Sequence, residues 1–179
     1  MTGPTPHPVG STGQSPLVWV PPGGARQVRR LNGGETAVLA DGTSTEDAYT
    51  VRLNTVPPRF EKAPLHLHRG AEEAFFVLSG TLAVLADGRR LDAAAGSFVL
   101  IPRGTPHSLA NLTDEPTDWM TLISPGHQSG WIDAEAALLE ESGPGEIDPD
   151  ELAAIHQQFG LEILGSPPDW APAAPGGSR

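Results

Sequence analysis

An all-β fold closed by two short helices is predicted by three features of this sequence. Short Val/Leu/Phe-rich runs recur along most of the chain, with the composition of strands. Between them stand 21 glycines and 19 prolines among 179 residues, gathered into turn signals such as PPGG, NGG, DG and PP. Helical spacing and a helix-start signal occur only after Pro125.

The elements follow in order. Residues 1–16, MTGPTPHPVGSTGQSP, offer almost nothing to bury and are expected to form a flexible arm; they lack the basic start and apolar run of a signal peptide. LVWV (17–20), ETAVLA (35–40) and AYTVRLNTV (48–56) are β-favouring runs bounded by turns. HLHRGAEEAFFVLSG (66–80) leads into a strand, and TLAVLADGRRLD reads as a hairpin with Asp87-Gly88 at its turn. GSFVLIP, HSLANL and WMTLIS supply three further strands. Beyond Pro125, GWIDAEAALLEE (130–141) places Trp131, Ala134, Leu138 and Glu141 on neighbouring helical positions. DPDELAAIHQQF opens with Asp148 as N-cap and Pro149 at the first helical position. A Pro/Gly/Ala-rich tail, flexible by composition, is expected over 165–179. The organisation read from this pattern is one domain over 17–164 with helices at about 130–160; the paired motifs described below, with the resemblance they carry, cover about 45–125.

Composition narrows the function classes. With 22 acidic and 11 basic residues the formal charge is −11, so the field of the molecule repels phosphate backbones and anionic membranes. No nucleic acid and no membrane partner is expected, no apolar stretch is long enough to cross a bilayer, and a cytoplasmic protein acting on a small-molecule substrate is the default. The absence of cysteine removes disulfides, thiolate ligands and thiol nucleophiles together. Any metal must therefore be held by His, Asp or Glu.

Histidine supplies the chemistry. In a strand His66 and His68 share one face while Leu67 takes the other. In GSFVLIPRGTPHSLAN (96–111) a strand ends at Pro102, Gly104 permits a tight turn, and His107 begins the next strand, placed to face the same interior. With one carboxylate from the Glu72/Glu73 pair, three nitrogens and one oxygen suit a single divalent metal ion such as Fe, Mn, Ni, Co or Zn.

These two stretches resemble the paired motifs of the cupin superfamily. HLHRGAEEAFFVLSG matches the first motif at His66, His68, Glu73 and Gly80 and lacks only its leading glycine; GSFVLIPRGTPHSLAN matches the second at Gly96, Pro102, Gly104, His107 and Asn111 with every spacing kept. SPGHQSGWIDAEAALLEE looks like the C-terminal helix of single-domain, quercetin 2,3-dioxygenase-like cupins. The resemblance implies a double-stranded β-helix, a jelly-roll barrel with a metal in its mouth, and frequent homodimers. It does not imply one reaction, because this fold hosts dioxygenases, decarboxylases, isomerases and binding proteins.

The resemblance assigns His66, His68, Glu73 and His107 as metal ligands; chemically, Glu73 doubles as general base if its metal bond is loose. Glu72 remains the alternative oxygen ligand; the six-residue gap to Gly80 favours Glu73, which would turn Phe75 and Val77 inward and Phe76 and Leu78 outward. Arg52 and Asn54 share one strand face, either lining a substrate pocket or lying in solvent. Phe75, Trp119 and Trp131 suit a pocket mouth or a plain core equally. Asn111 is read as a turn residue, His7, His127 and His156 receive no role, and the acidic run Glu135, Glu140, Glu141, Glu146, Asp148 and Asp150 is read as a solvated face. LVWV, a strand without a partner in its own hairpins, points to a homodimer. Two functions remain: a metal-dependent dioxygenase, or a non-redox isomerase, lyase or ligand-binding protein.

Overall fold

The computed structural model describes residues 17–31, 35–61, 63–143, 147–166 and 170. Eleven strands, β1 (Arg26–Arg29), β2 (Glu35–Ala40), β3 (Thr50–Val56), β4 (Leu65–His68), β5 (Glu72–Ser79), β6 (Thr81–Ala86), β7 (Arg89–Ala94), β8 (Phe98–Ile101), β9 (His107–Ala110), β10 (Thr117–Ser124) and β11 (Leu161–Gly165), form two sheets. One sheet has the order β1-β2-β3-β10-β5-β8 and the other β11-β4-β9-β6-β7, all neighbours antiparallel. Two helices, α1 (Trp131–Ser142) and α2 (Pro149–Gln158), precede β11. This is the all-β jelly-roll architecture with short C-terminal helices.

Alternation along the strands sets the interior. On β5, Glu73, Phe75 and Val77 are buried while Glu72, Phe76 and Leu78 are exposed. On β10, Thr117, Trp119, Thr121 and Ile123 turn inward. Between the sheets Phe75, Val77, Leu82, Val84, Ile101 and Trp119 form the main core; a buried side chain such as Phe75 contributes about 1.5–3 kcal/mol of apolar transfer. A second cluster of Val28, Val38, Trp131, Ile132 and Leu161 seats α1 and β11 against the first strands.

The β6–β7 hairpin turns at Asp87-Gly88, both with positive φ (49° and 69°), the geometry an Asp-Gly pair tolerates. Gly80, where β5 passes into β6, has a φ of 72°, and a Cβ there would lie 2.5 Å from the Pro116 carbonyl oxygen. Asp148 caps α2 by accepting from the Asp150 amide at 2.9 Å, with Pro149 in the first turn.

Several expectations are corrected. LVWV (17–20) is not a strand: Leu17 and Trp19 are 93% and 79% exposed, and Pro21-Pro22 directly after them remove two ladder donors. The first strand is instead Arg26–Arg29, whose only buried side chain is Val28. β11 occupies a segment assigned to no element. α1 buries Trp131, Ile132, Glu135 and Leu138, so Glu135 lies inside the protein and the helix faces inward along a stripe other than the one through Ala134 and Glu141. The arm 1–16 with His7, Glu146, the NGG turn and most of the 165–179 tail lie outside the described residues. No helix among the described residues is long and apolar enough to cross a membrane.

Candidate metal centre

The two sheets each bring part of one cluster. β4 carries His66 and His68, and the ladder partner of His66 is His107 on β9, so one sheet supplies all three imidazoles. Gly104 (φ 73°) turns the chain between β8 and β9, and its amide donates to the His68 carbonyl at 2.8 Å, tying the second motif to the first. Glu73 arrives from the opposite sheet, between Ile123 of β10 and Ile101 of β8. One ligand atom from each of His66, His68, Glu73 and His107 lies within 4.8 Å of all the others. Glu72, one backbone step away, points outward and lies 3.6 Å from Arg103.

The hydrogen bonds around the cluster aim it. Nδ1 of His66 donates to the Pro64 carbonyl and Nδ1 of His107 to the Thr105 carbonyl, each at 2.9 Å, which leaves both Nε2 atoms for the interior. Nε2 of His107 and of His68 lie 3.0 and 3.2 Å from Oε2 of Glu73. A carboxylate only accepts, and the outer nitrogen of His107 is already committed as a donor. Positive charge must therefore sit between His107 and Glu73, as a proton or as a metal ion.

Electrostatics follow from the same contacts. Burial, then the neighbouring His107, pushes the His66 imidazole down to about 3, so it is neutral with a free lone pair. Burial opposes ionisation of Glu73, yet hydrogen bonds from His107 and His68 outweigh it and hold the carboxyl well below its usual range. Burial lowers His107, but the hydrogen bond and charge of Glu73, with the bond to Thr105, together outweigh it and raise it. A neutral His66 imidazole, one ionised carboxylate and a position beside His107 that demands a cation fit a divalent first-row ion.

The cluster opens onto a cavity of about 520 Å³. Arg52, Asn54 and Trp119 line it with His66 and Glu73, whereas Phe75 packs in the core beneath, its ring 6.5 Å from that of His107. Arg52 is buried, its Nη2 3.8 Å from Oε1 of Glu73; burial and then Arg30 lower its guanidinium to about 9. Asn54 is held between Thr36 and Thr121, whose hydroxyl also accepts from the Trp119 indole at 3.0 Å. The inward face of β3 is thus a polar wall of the cavity. Asn111 lies fully buried and away from the cluster, its amide donating to the Pro57 and Glu115 carbonyls and its oxygen accepting from Thr113.

Three cavity residues carry no role in the sequence reading: Arg30 is not named there, Glu135 is read as solvated, and His156 is left unassigned. Arg30, just beyond β1, lies with its guanidinium 4.6 Å from the Trp131 ring. Glu135 of α1 accepts from Nε2 of His156 on α2 at 2.7 Å, and both line the cavity. The helical stripe carrying Glu135 beside Trp131 was the available signal; Arg30 had none, since a polar strand end looks solvated. His127 pairs instead with Asp47 on the surface, at 2.6 Å.

Residues 52–123 match the cupin domain family. Among curated proteins, the chain is similar to quercetin 2,3-dioxygenase of Bacillus subtilis, 38% identical over 81 residues, 45% of this chain and 24% of the relative. It is also similar to an uncharacterized protein of Methanocaldococcus jannaschii, 30% identical over 61 residues, 34% of this chain and 49% of the relative. The matched segments thus span half or less of these relatives' lengths. Among solved structures, a sugar phosphate isomerase of the cupin superfamily from Silicibacter pomeroyi superposes with a TM-score of 0.52 at 18% identity, covering 59% of this chain and 74% of the other. A predicted oxalate decarboxylase from Thermotoga maritima gives 0.50 at 20% identity, covering 56% and 91%. These structural likenesses establish a shared fold.

Proposed function

The chain is a cupin-superfamily protein, and from that premise we propose that it is a metal-dependent dioxygenase acting on a small organic substrate of aromatic or enol type. The observation that carries this reading is the convergence of His66, His68, Glu73 and His107 beside a cavity walled by Val56, Phe60, Leu82, Leu109, Trp119 and Trp131. Similarity to a quercetin 2,3-dioxygenase over 81 residues supports the reaction class.

A divalent ion held by these four residues supplies Lewis acidity and, for a redox-active metal, electron transfer with O₂. The protein does the rest. Carbonyls of Pro64 and Thr105 fix two imidazoles in one orientation before any ligand arrives. Glu73, with Oε1 on the Arg52 side, would accept a proton from a substrate hydroxyl where its bond to the ion is loose. The apolar walls exclude water and select a substrate body that is itself apolar. The net charge of −11 favours small-molecule over nucleic-acid chemistry.

A non-redox isomerase or lyase is the second reading, favoured by the Glu135–His156 pair. It provides an acid/base couple on the cavity wall that needs no O₂. An oxygen electrode separates the two. Metal-loaded protein offered a panel of flavonols, catechols and enediols should consume O₂ in proportion to substrate lost; substrate conversion that persists anaerobically assigns the second reading instead.

A further inference from the structure

Two guanidiniums in one cavity need a reason. Arg52 is buried to 3% exposure on β3, a charge that proteins seldom enclose without full pairing. Its nearest carboxylate, Glu73, stands at 3.8 Å, beyond hydrogen-bond reach, and Nε and Nη1 of Arg52 have no hydrogen-bond partner among the described residues. Nε of Arg30 is likewise buried without one. Each repels the other, and burial adds to the cost of both. Donors left open in a cavity mark where an acceptor belongs.

The charges favour an anion. Glu73 and Glu135 offset the two arginines, but Glu135 is engaged by His156, and Glu73 turns Oε2 to the imidazoles. A divalent ion in the cluster would leave the cavity with about two positive charges in excess, counting each group at unit charge. Among the described residues the lining holds neither lysine nor glycine, and so offers no ammonium and no glycine-rich backbone cradle of the kind that wraps a phosphate. What it offers is planar guanidinium donors beside apolar and indole surface, the complement of a carboxylate on an apolar body.

We propose that the ligand of this cavity is a small organic carboxylate, its anionic group held by Arg52 with Arg30 and its apolar body packed against Trp119 and Trp131. This rests on the reading of the cavity as a substrate pocket over a metal centre. Arg52 fixes the carboxylate beside Glu73, and so places the neighbouring carbon atoms next to the cluster. Arg30, braced by the Trp131 ring, closes the anion from the side of the helices.

Benzoate, with neutral benzamide as its isostere and inorganic phosphate as competitor, tests this by calorimetry and by fluorescence of the two cavity tryptophans. Benzoate should bind about ten- to a hundredfold more tightly than benzamide, the usual worth of hydrogen bonds to a charged group, and Arg52→Gln and Arg30→Gln should each erase that preference. Melting curves establish that the variants fold; Arg30 lies outside the ladders, so its variant carries the comparison if Arg52→Gln does not fold. Equal affinity for benzamide, benzoate binding unchanged in a folded variant, no benzoate binding, or displacement by phosphate at lower concentration than benzoate overturns the proposal. Titrations with metal-loaded and chelator-stripped protein keep the two readings apart. A chain that takes up no metal yet prefers benzoate through its arginines loses the catalytic reading and keeps this one.

Discussion

Replacing Glu73 with Gln should destabilise the metal-free protein strongly, while the same change at Glu72 should not. Glu73 and Arg52 are 8% and 4% exposed in their side chains, and removing one member of a buried charge pair costs about 3–5 kcal/mol. Their 3.8 Å separation lies beyond hydrogen-bond reach, so the lower end, about 3 kcal/mol, applies to the Arg52 contact. The bonds from His68 and His107 at 3.2 and 3.0 Å lose their charge assistance but keep an amide oxygen, which adds about 1 kcal/mol at most. Glu72 meets Arg103 at 3.6 Å with both side chains about half exposed, a contact worth roughly 0–0.5 kcal/mol. At about 2–4 °C per kcal/mol for a chain of this size, Glu73→Gln should lower the melting temperature by about 6–16 °C and Glu72→Gln by no more than about 2 °C. Thermal melts in chelator, followed by near-UV circular dichroism, read both. Equal shifts, or a larger shift for Glu72→Gln, would refute the assignment of inward and outward faces on β5 and every consequence drawn from it.

Asn111→Ala should cost about 3 kcal/mol by orphaning the Pro57 and Glu115 carbonyls and the Thr113 amide, and should leave metal affinity unchanged; urea denaturation and metal titration measure the two separately. We also propose a homodimer through the outer face of β5 and the edge strand β8, where Leu78, Phe98 and Leu100 are 48%, 65% and 51% exposed. Light scattering at micromolar concentration should give twice the monomer mass, and Phe98→Glu should give the monomer; a monomeric parent refutes the assembly.

The parts of the structure that were legible in the sequence are those decided by local chemistry. Strand parity alone puts His66 and His68 on one face and separates Glu73 from Glu72, because one backbone step reverses a side chain. Asp87-Gly88 announces its own turn through the positive φ it requires. The parts that escaped depend on distant partners. Leu17–Val20 has the composition of a strand, but composition does not provide a ladder partner. Arg26–Arg29 looks solvated because an edge strand needs only one inward side chain, here Val28. Glu135 sits in an acidic run, and distant partners, His156 of the following helix, 21 residues on, and the Arg30 guanidinium, make its burial tolerable. Arg52 comes from β3 and Arg30 from just beyond the almost wholly polar β1, and no local spacing relates them.

The account stands on the claim that four side chains hold one metal ion. Protein purified without added metal, and then reconstituted with Fe(II), Mn(II), Ni(II), Co(II) or Zn(II), would have its bound metal counted by elemental analysis beside His66→Ala and His107→Ala. The parent should bind about one ion per chain, and each variant, having lost one of four ligands, should fall in affinity at least about a hundredfold, beyond what loss of an outer-sphere partner costs. Unchanged stoichiometry and affinity in both folded variants, or a parent that retains no ion of any kind, would contradict it.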